Sequence, residues 1–357
     1  MAAEPDPTRG SANAALRARA PQTASVAACR TVPSGDGFSH HNPGSAYNYG
    51  RRAPTPLRTP PGAHDPDLMT SPLSIVIVNF NSGMRLGACL RSLADCAGQA
   101  HVIVVDNCST DGSERAAERH GDRVTLLRNL ANVGFARAVN QGLASSQGPL
   151  VMLLNPDCVL RPGLVPALVT DLDAHPECAI AAPAILNEDG TVQGSLRGDP
   201  TMWTGLFGRS TLLTRLFPHS RLARRNVPTA GRPALGGPST QADWVSGACM
   251  LARRQALEAV GGLDERYFLY WEDADLCRRL RQRGYTTRYV PAGQVVHQVG
   301  GSSQSARGLA IRAFHQSAYT YYATHVARGP FGRAVARLLL GARCWVKLLA
   351  NRVVHES

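Results

Sequence analysis

The chain predicts an α/β fold with a mostly parallel sheet flanked by helices and a helical extension at the C-terminus. Three observations carry this. Short runs of β-branched and aliphatic residues recur from Leu73 onward, continuous rather than alternating, as strands buried on both faces require. Helical patterns separate them, which implies crossover connections and parallel strands. Every unusual polar cluster of this region falls at the C-terminal end of such a run, where open α/β sheets bind ligands.

The first run is Ser74–Val78, followed by a helix with Leu86, Leu90 and Leu93 on one face. The second, His101–Val105, closes on Asp106. A helix over Ser113–His120, a short strand Val124–Leu127 and a helix Phe135–Ser145 follow. The run Leu150–Leu154 then closes on Asn155-Pro156-Asp157. The polar clusters are Asn79–Asn81, Asp106–Asp111 and Asn155–Asp157. A dinucleotide-binding domain would need G-x-G-x-x-G after the first strand, where this chain has Asn79-Phe80-Asn81-Ser82-Gly83, so NAD is excluded.

Residues 1–72 hold 11 of the 24 prolines and lack apolar periodicity, which predicts a disordered leader; Met69 is expected to be the natural start. The hydrophobic content of 44% suits a real core. The net charge of +12 is concentrated between Leu276 and Ser357. Such a basic surface attracts anionic lipid or phosphorylated substrates; no nucleic-acid-binding motif accompanies it. The nine cysteines include no CxxC pair, which argues against a zinc site or a disulfide framework. No apolar run reaches membrane-spanning length and no signal peptide is evident, so a cytoplasmic location is expected.

The densest chemistry lies at Trp271-Glu272-Asp273-Ala274-Asp275, where three carboxylates follow the aromatic run Tyr267, Phe268, Tyr270, Trp271. Carboxylates so close repel one another and resist burial. Beside apolar rings they suit a general base; a helix N-terminus that favours acids is the alternative.

These segments together resemble a family. SIVIVNFNS (74–82), VIVVDNCSTDGS (102–113), NVGFARAVNQG (132–142), LLNPDCV (153–159), WVSGACM (244–250) and Gly261–Gly284 resemble, in order and spacing, the motifs of inverting family-2 glycosyltransferases. The match covers residues 73–301 and is most like bacterial rhamnosyltransferases of cell-wall and polysaccharide assembly. It implies the GT-A fold, a nucleotide-diphospho-sugar transferase variant of the Rossmann-like sheet, over 73–301, with 302–357 as a basic helical extension.

The resemblance also implies roles. Asp273 is expected to be the catalytic base, with Glu272 beside it. Asn79, Asp106, Asn107, Asn132, Gly134, Asn140 and Asn155 would bind the donor. Asp111 is expected to cap the next helix, and Gly134 either lets backbone approach a ligand or begins its helix. Asp157 and His297 would hold Mg²⁺ or Mn²⁺ against the donor diphosphate, with Asn155 standing where relatives often carry an acid. Trp244, Ser246, Gly247 and Asp275 would face the acceptor, with a core role open for Trp244 and helix anchoring open for Asp275.

Residues 195–242, rich in arginine, are expected to form a lid or docking insertion. Phe331–Val354 reads as a basic amphipathic helix that lies on an anionic membrane or packs on the catalytic domain. The expected partners are a nucleotide-sugar donor, probed first as dTDP-rhamnose, a polyprenyl-diphosphate-linked or other saccharide acceptor, and the inner membrane face as a peripheral site. UDP-galactofuranose, UDP-glucose or UDP-GlcNAc as donor, and a catalytically idle sugar-nucleotide-binding scaffold, are the competing readings.

Overall fold

The computed structural model describes residues 73–200, 234–298 and 307–356. The expected leader, Met69 and most of the arginine-rich insertion lie outside the described residues. The parallel half forms as the sequence dictates. Strands β1 (Leu73–Asn79), β2 (His101–Asp106), β3 (Val124–Arg128) and β4 (Leu150–Leu154) pair in the order β3-β2-β1-β4, all parallel. Helices α1 (Arg85–Cys96) and α3 (Phe135–Ser145) are the crossovers. Leu86, Leu90 and Leu93 are buried along α1. Between them α2 is only Arg115–Glu118, followed by a 3-10 turn at Gly121–Arg123, shorter than the expected Ser113–His120. Gly112 and Gly121 flank it in left-handed conformations that a helix cannot propagate through.

Beyond β4 the sheet becomes mixed. A short strand β5 (Cys158–Leu160), helix α4 (Leu164–Ala174) and the fully buried strand β6 (Cys178–Leu186) follow. Strand β7 (Leu196–Arg197) pairs antiparallel with β9 (Trp244–Val245), and β8 (Thr240–Ala242) joins the main sheet. Strand β10 (Cys249–Arg253) wedges antiparallel between β4 and β6, with Cys249 opposite Leu154. The chain thus returns from the ligand-binding edge and runs down the sheet, so the segment 244–248 arrives where β4 ends. Helices α5 (Arg254–Ala259) and α6 (Glu272–Gln282) follow. The long strand β11 (Thr286–His297) pairs parallel with β6 and antiparallel with β5. Its register breaks between Val290 and Gln294, around Pro291, which cannot donate to a ladder.

Two core clusters lie on the two faces of the sheet, one built on Ile75, Ile77 and Met152, the other on Val76, Val78 and Val151. Cys89, Cys158, Cys178, Cys249 and Cys277 are buried, unbridged members of these layers. Burial of a side chain such as Ile75 contributes about 1.5–3 kcal/mol.

The extension is a pair of helices, α7 (Arg307–His325) and α8 (Gly329–Glu356), where the sequence pattern showed only the second. Helix α7 buries Ala313, His315, Ser317, Ala318, Tyr321 and Tyr322, a mixed set without a continuous apolar stripe. It packs on the aromatic segment before α6. Trp271 contacts Phe314, Tyr321 and Tyr322, with ring centroids 5.9, 5.2 and 6.0 Å away. Tyr270 and Trp271 adopt φ of 68° and 70°, which costs bulky residues about 1–3 kcal/mol each. The α7 aromatics and a hydrogen bond from Ser317 Oγ to Leu269 O (2.9 Å) hold that turn in place.

Candidate active site

The sheet edge gathers four groups of polar residues. The first closes β1 and β2. Asn79 Nδ2 donates to Asp106 Oδ1 (2.7 Å) and Ser113 Oγ (2.9 Å). Ser109 donates to both Asp106 oxygens, from Oγ at 2.6 Å and from its backbone N at 3.1 Å. Asp106 is buried, and Oδ2 accepts this single bond, leaving it capacity for another donor. Asp111 does not cap α2. Its Oδ2 accepts from Gly83 N (2.8 Å) and its Oδ1 from Ser113 N (3.0 Å), tying the two loops together, and these bonds hold its carboxyl below the usual range against the opposing effect of burial.

The second group joins β2 to α3. Asn107 donates to Asn132 Oδ1 (2.8 Å) and accepts from Val133 N (3.0 Å). Gly134 opens α3 at φ 89°; a Cβ there would lie 2.8 Å from Phe268 O. The backbone it admits is therefore Phe268, whose carbonyl accepts from Phe135 N (2.6 Å), and α3 starts there as expected. Asn140 is turned to the loop after α5, donating to Leu263 O (2.9 Å) and accepting from Leu263 N (3.0 Å). Its amide braces that loop through both ends.

The third group is Asp157 with His297. Register places His297 opposite Cys158, so its Nε2 lies 3.1 Å from Asp157 Oδ1. That oxygen is buried without a hydrogen bond. Gln193 sets the tautomer: its Nε2 donates to His297 O (2.9 Å), which turns its Oε1 to His297 Nδ1 (3.1 Å). Nδ1 then donates to Gln193, and Nε2 is the nitrogen that faces the carboxylate. Two electron-pair donors converging in this way fit a divalent cation between them, with Gln193 as the orienting partner behind the histidine. Cys158 Sγ is within reach of both, but burial pushes its thiol well above the usual range and it donates to Ala248 O (3.3 Å). The usable donors are one oxygen and one nitrogen, a set that could hold a divalent cation. Asn155, in the same turn, offers only a neutral oxygen.

The fourth group is the acid cluster at the start of α6, divided by burial. Asp273 is partly open. Its Oδ2 accepts from Gly247 N (3.0 Å) and its Oδ1 from Ala274 N (2.8 Å). Burial raises its pKa, opposed by these N–H groups. Glu272 is buried with Oε2 unpartnered; burial first, then the Asp273 and Asp275 charges, hold its pKa well above the usual range. The two neighbouring acids therefore sit in different environments, Asp273 partly open and held by two N–H groups, Glu272 buried with one oxygen unpartnered. A Cβ at Gly247 would come 3.3 Å from Asp273 Cβ, so glycine lets the 244–248 segment lie against the base.

Asp275 is not exposed to any acceptor. It is fully buried, paired with Arg279 Nε at Oδ2 and His325 Nε2 at Oδ1, each 2.6 Å, and accepts from Tyr267 Oη (3.2 Å). Its place is structural: it ties α6 to the end of α7. Trp244 lies between core and cavity, donating from Nε1 to Gly198 O (2.9 Å) while the Arg197 guanidinium stacks 4.8 Å from its ring centroid. Ser246 lines a cavity of about 360 Å³ shared with Gln193, Ser195 and Arg197. Gln193 and His325 were not singled out in the sequence: each is a lone polar residue outside any motif, brought to His297 and Asp275 only by the fold.

An open α/β sheet that gathers Asp157 with His297, Asp106 at the end of β2 and the partly open Asp273 along one edge has the architecture of a GT-A glycosyltransferase. Comparison with known proteins agrees. Residues 74–227 match the model of "Glycosyl transferase family 2" and residues 229–324 that of "Glycosyl transferase family group 2". The chain is 34% identical over 269 residues to the N-acetylglucosaminyl-diphospho-decaprenol L-rhamnosyltransferase of Mycobacterium tuberculosis, covering 71% of this chain and 85% of that protein. It is 38% identical over 84 residues to the rhamnosyltransferase WbbL of Escherichia coli K12, which is 24% of this chain and 32% of that protein. Among solved structures, GalNAc-T7 with UDP, GalNAc and Mn²⁺ superposes with a TM-score of 0.51 at 16% identity, over 70% of this chain and 47% of that one. The chain belongs to glycosyltransferase family 2 and is a glycosyltransferase.

Proposed function

We propose that this enzyme transfers L-rhamnose from dTDP-rhamnose, with inversion, to a hydroxyl of a saccharide carried on a polyprenyl diphosphate, in cell-wall or polysaccharide assembly. The observation that carries this reading is the likeness to the mycobacterial rhamnosyltransferase across 85% of that protein's length. Asp273 takes the proton of the acceptor hydroxyl as that oxygen forms its bond to the anomeric carbon. The bond from that carbon to the nucleoside diphosphate breaks on the opposite face, which inverts the configuration. Glu272, held neutral, adds no second negative charge beside the nucleophile. Asp106 offers the free face of Oδ2 to the imide N–H of thymine, and Asn79 fixes that carboxylate from behind. Asp157 and His297 hold Mn²⁺ or Mg²⁺, which supplies positive charge for the leaving diphosphate when bound.

Helix α8 supports a membrane-surface location. It buries Ala336 and Leu340 and exposes Phe331, Leu338 and Trp345, seven residues apart, among Arg333, Arg337 and Lys347. An apolar stripe with flanking bases suits the surface of an anionic bilayer, here the cytoplasmic face. No described helix is long and apolar enough to cross a membrane.

The test is a donor screen with Mn²⁺ or Mg²⁺, scoring thermal shift and nucleotide release for dTDP-rhamnose, UDP-galactofuranose, UDP-glucose, UDP-GlcNAc and GDP-mannose. Selective response to dTDP-rhamnose, followed by transfer to a GlcNAc-diphosphate lipid with inverted product, is the expected result. Selective response to another donor overturns the sugar assignment.

A further inference from the structure

The cavity beside the base contains polarity that the transfer chemistry has not used. Arg197 lines it from β7, and its Nε is buried without a hydrogen-bond partner. Ser195, two residues earlier on the same wall, is 2% exposed, and its Oγ is likewise unpartnered. Ser246 completes the wall. The nearest acid along the strand, Asp199, is committed to Arg281 at 2.6 Å and Arg278 at 3.8 Å. Among the described residues Arg197 has no ion pair; its contact is the Trp244 ring, which fixes the guanidinium plane. Among the described residues no carboxylate lines the cavity. Buried donors left open cost stability unless a ligand completes them, and a held guanidinium fork beside a hydroxyl matches phosphate oxygens.

We propose that Arg197, with Ser195 and Ser246, forms an anion subsite that takes the diphosphate of the acceptor. Its placement favours the acceptor over the donor. Ser246 directly precedes Gly247, whose N–H holds Asp273, so the subsite adjoins the face from which the hydroxyl attacks. The donor diphosphate belongs at Asp157 and His297, with Gln193 forming the wall between. In a sugar linked through its anomeric carbon, one pyranose ring separates the diphosphate from the reacting hydroxyl. A base and an anion subsite side by side can then read both ends of that ring. The inference rests on the reading of a polyprenyl-diphosphate acceptor given above.

The experiment compares a GlcNAc-diphosphate lipid with the uncharged octyl glycoside of GlcNAc as acceptors for the wild type, Arg197→Gln and Arg197→Lys. Loss of a charge-assisted contact lowers kcat/KM for the diphosphate acceptor roughly 10- to 100-fold. The octyl glycoside loses far less, so the preference collapses, and the lysine variant recovers part of it. Equal loss on both acceptors overturns the proposal, as does a raised donor KM with the preference intact. A second arm needs no turnover: calorimetry of geranyl diphosphate binding to protein saturated with dTDP and Mn²⁺. Binding weakened by Arg197→Gln supports the subsite even if no acceptor is used, in which case the proposed function fails alone. No binding to the wild type overturns the subsite.

Discussion

Replacing Asp273 by Asn tests the division of labour within the acid cluster. The substitution keeps the side-chain shape and removes the proton-accepting charge. In the wild type both carboxylate oxygens accept backbone N–H groups, from Gly247 and Ala274. Asparagine can satisfy one; its amide nitrogen then faces the other N–H. The lost bond costs about 1.5–3 kcal/mol. Removing a charge that burial disfavours offsets part of this, because the Asp273 pKa is raised in the fold. The net loss is about 1–2 kcal/mol, or a fall in melting temperature of roughly 2–8 °C for a domain of this size. The catalytic loss is larger. General base catalysis is worth about 10²–10⁴-fold, so kcat falls by that factor, equivalent to about 3–5.5 kcal/mol of barrier. Donor affinity, set at Asp157, His297 and Asp106, stays within about twofold by this reasoning. The assay is single-turnover transfer with saturating donor, alongside calorimetric donor titration. A variant that keeps kcat within tenfold of wild type would refute the assignment and shift it to Glu272.

Four further outcomes follow from the geometry. Gln193→Leu frees the His297 ring and raises the concentration of Mn²⁺ needed for half-maximal activity about 10- to 100-fold, read from metal titrations. Glu272→Gln alters the pH dependence of stability. The folded pKa of Glu272 is raised, so as pH climbs through the ordinary carboxylate range the unfolded chain ionises first and wild-type stability falls. The variant lacks this slope, and its melting-temperature advantage should grow with pH above that point; a constant difference argues against a buried neutral Glu272. Asp275→Ala leaves Arg279 and His325 buried without their acid and should destabilise by about 3–5 kcal/mol in urea denaturation, with α7 the first element to lose amide protection. Leu338→Glu with Trp345→Glu should abolish flotation with anionic vesicles while leaving the melting temperature within about 2 °C, because both side chains are exposed.

Much of the sheet was legible because its strands are buried on both faces, which forces unbroken runs such as Ser74–Val78 and Leu150–Leu154. The acid cluster was legible for a related reason: carboxylates packed as closely as Glu272, Asp273 and Asp275 need an explanation wherever they occur. The antiparallel wedge of β10 was not legible, since Cys249–Arg253 reads as another buried strand whatever its direction. Helix α7 escaped notice because its contact face mixes His315, Ser317 and Tyr321 with alanine, so its apolar periodicity is weak.

Within the site, the sequence by itself determined which chemical groups stand at the strand ends, because residue type and position along a buried strand are local properties. It placed Asp106 and Asp157 there, and put Asp273 in the acid cluster that opens the helix at Glu272. The tertiary structure alone decided their states. Asp275 and Asp273 are two residues apart, yet one is locked to Arg279 and His325 while the other stays partly open, since which carboxylate is buried depends on α7 packing from 50 residues away. The His297 tautomer depends on Gln193, 104 residues earlier. Burial, pairing and tautomer are set by long-range neighbours, and a linear pattern carries no record of who those neighbours are.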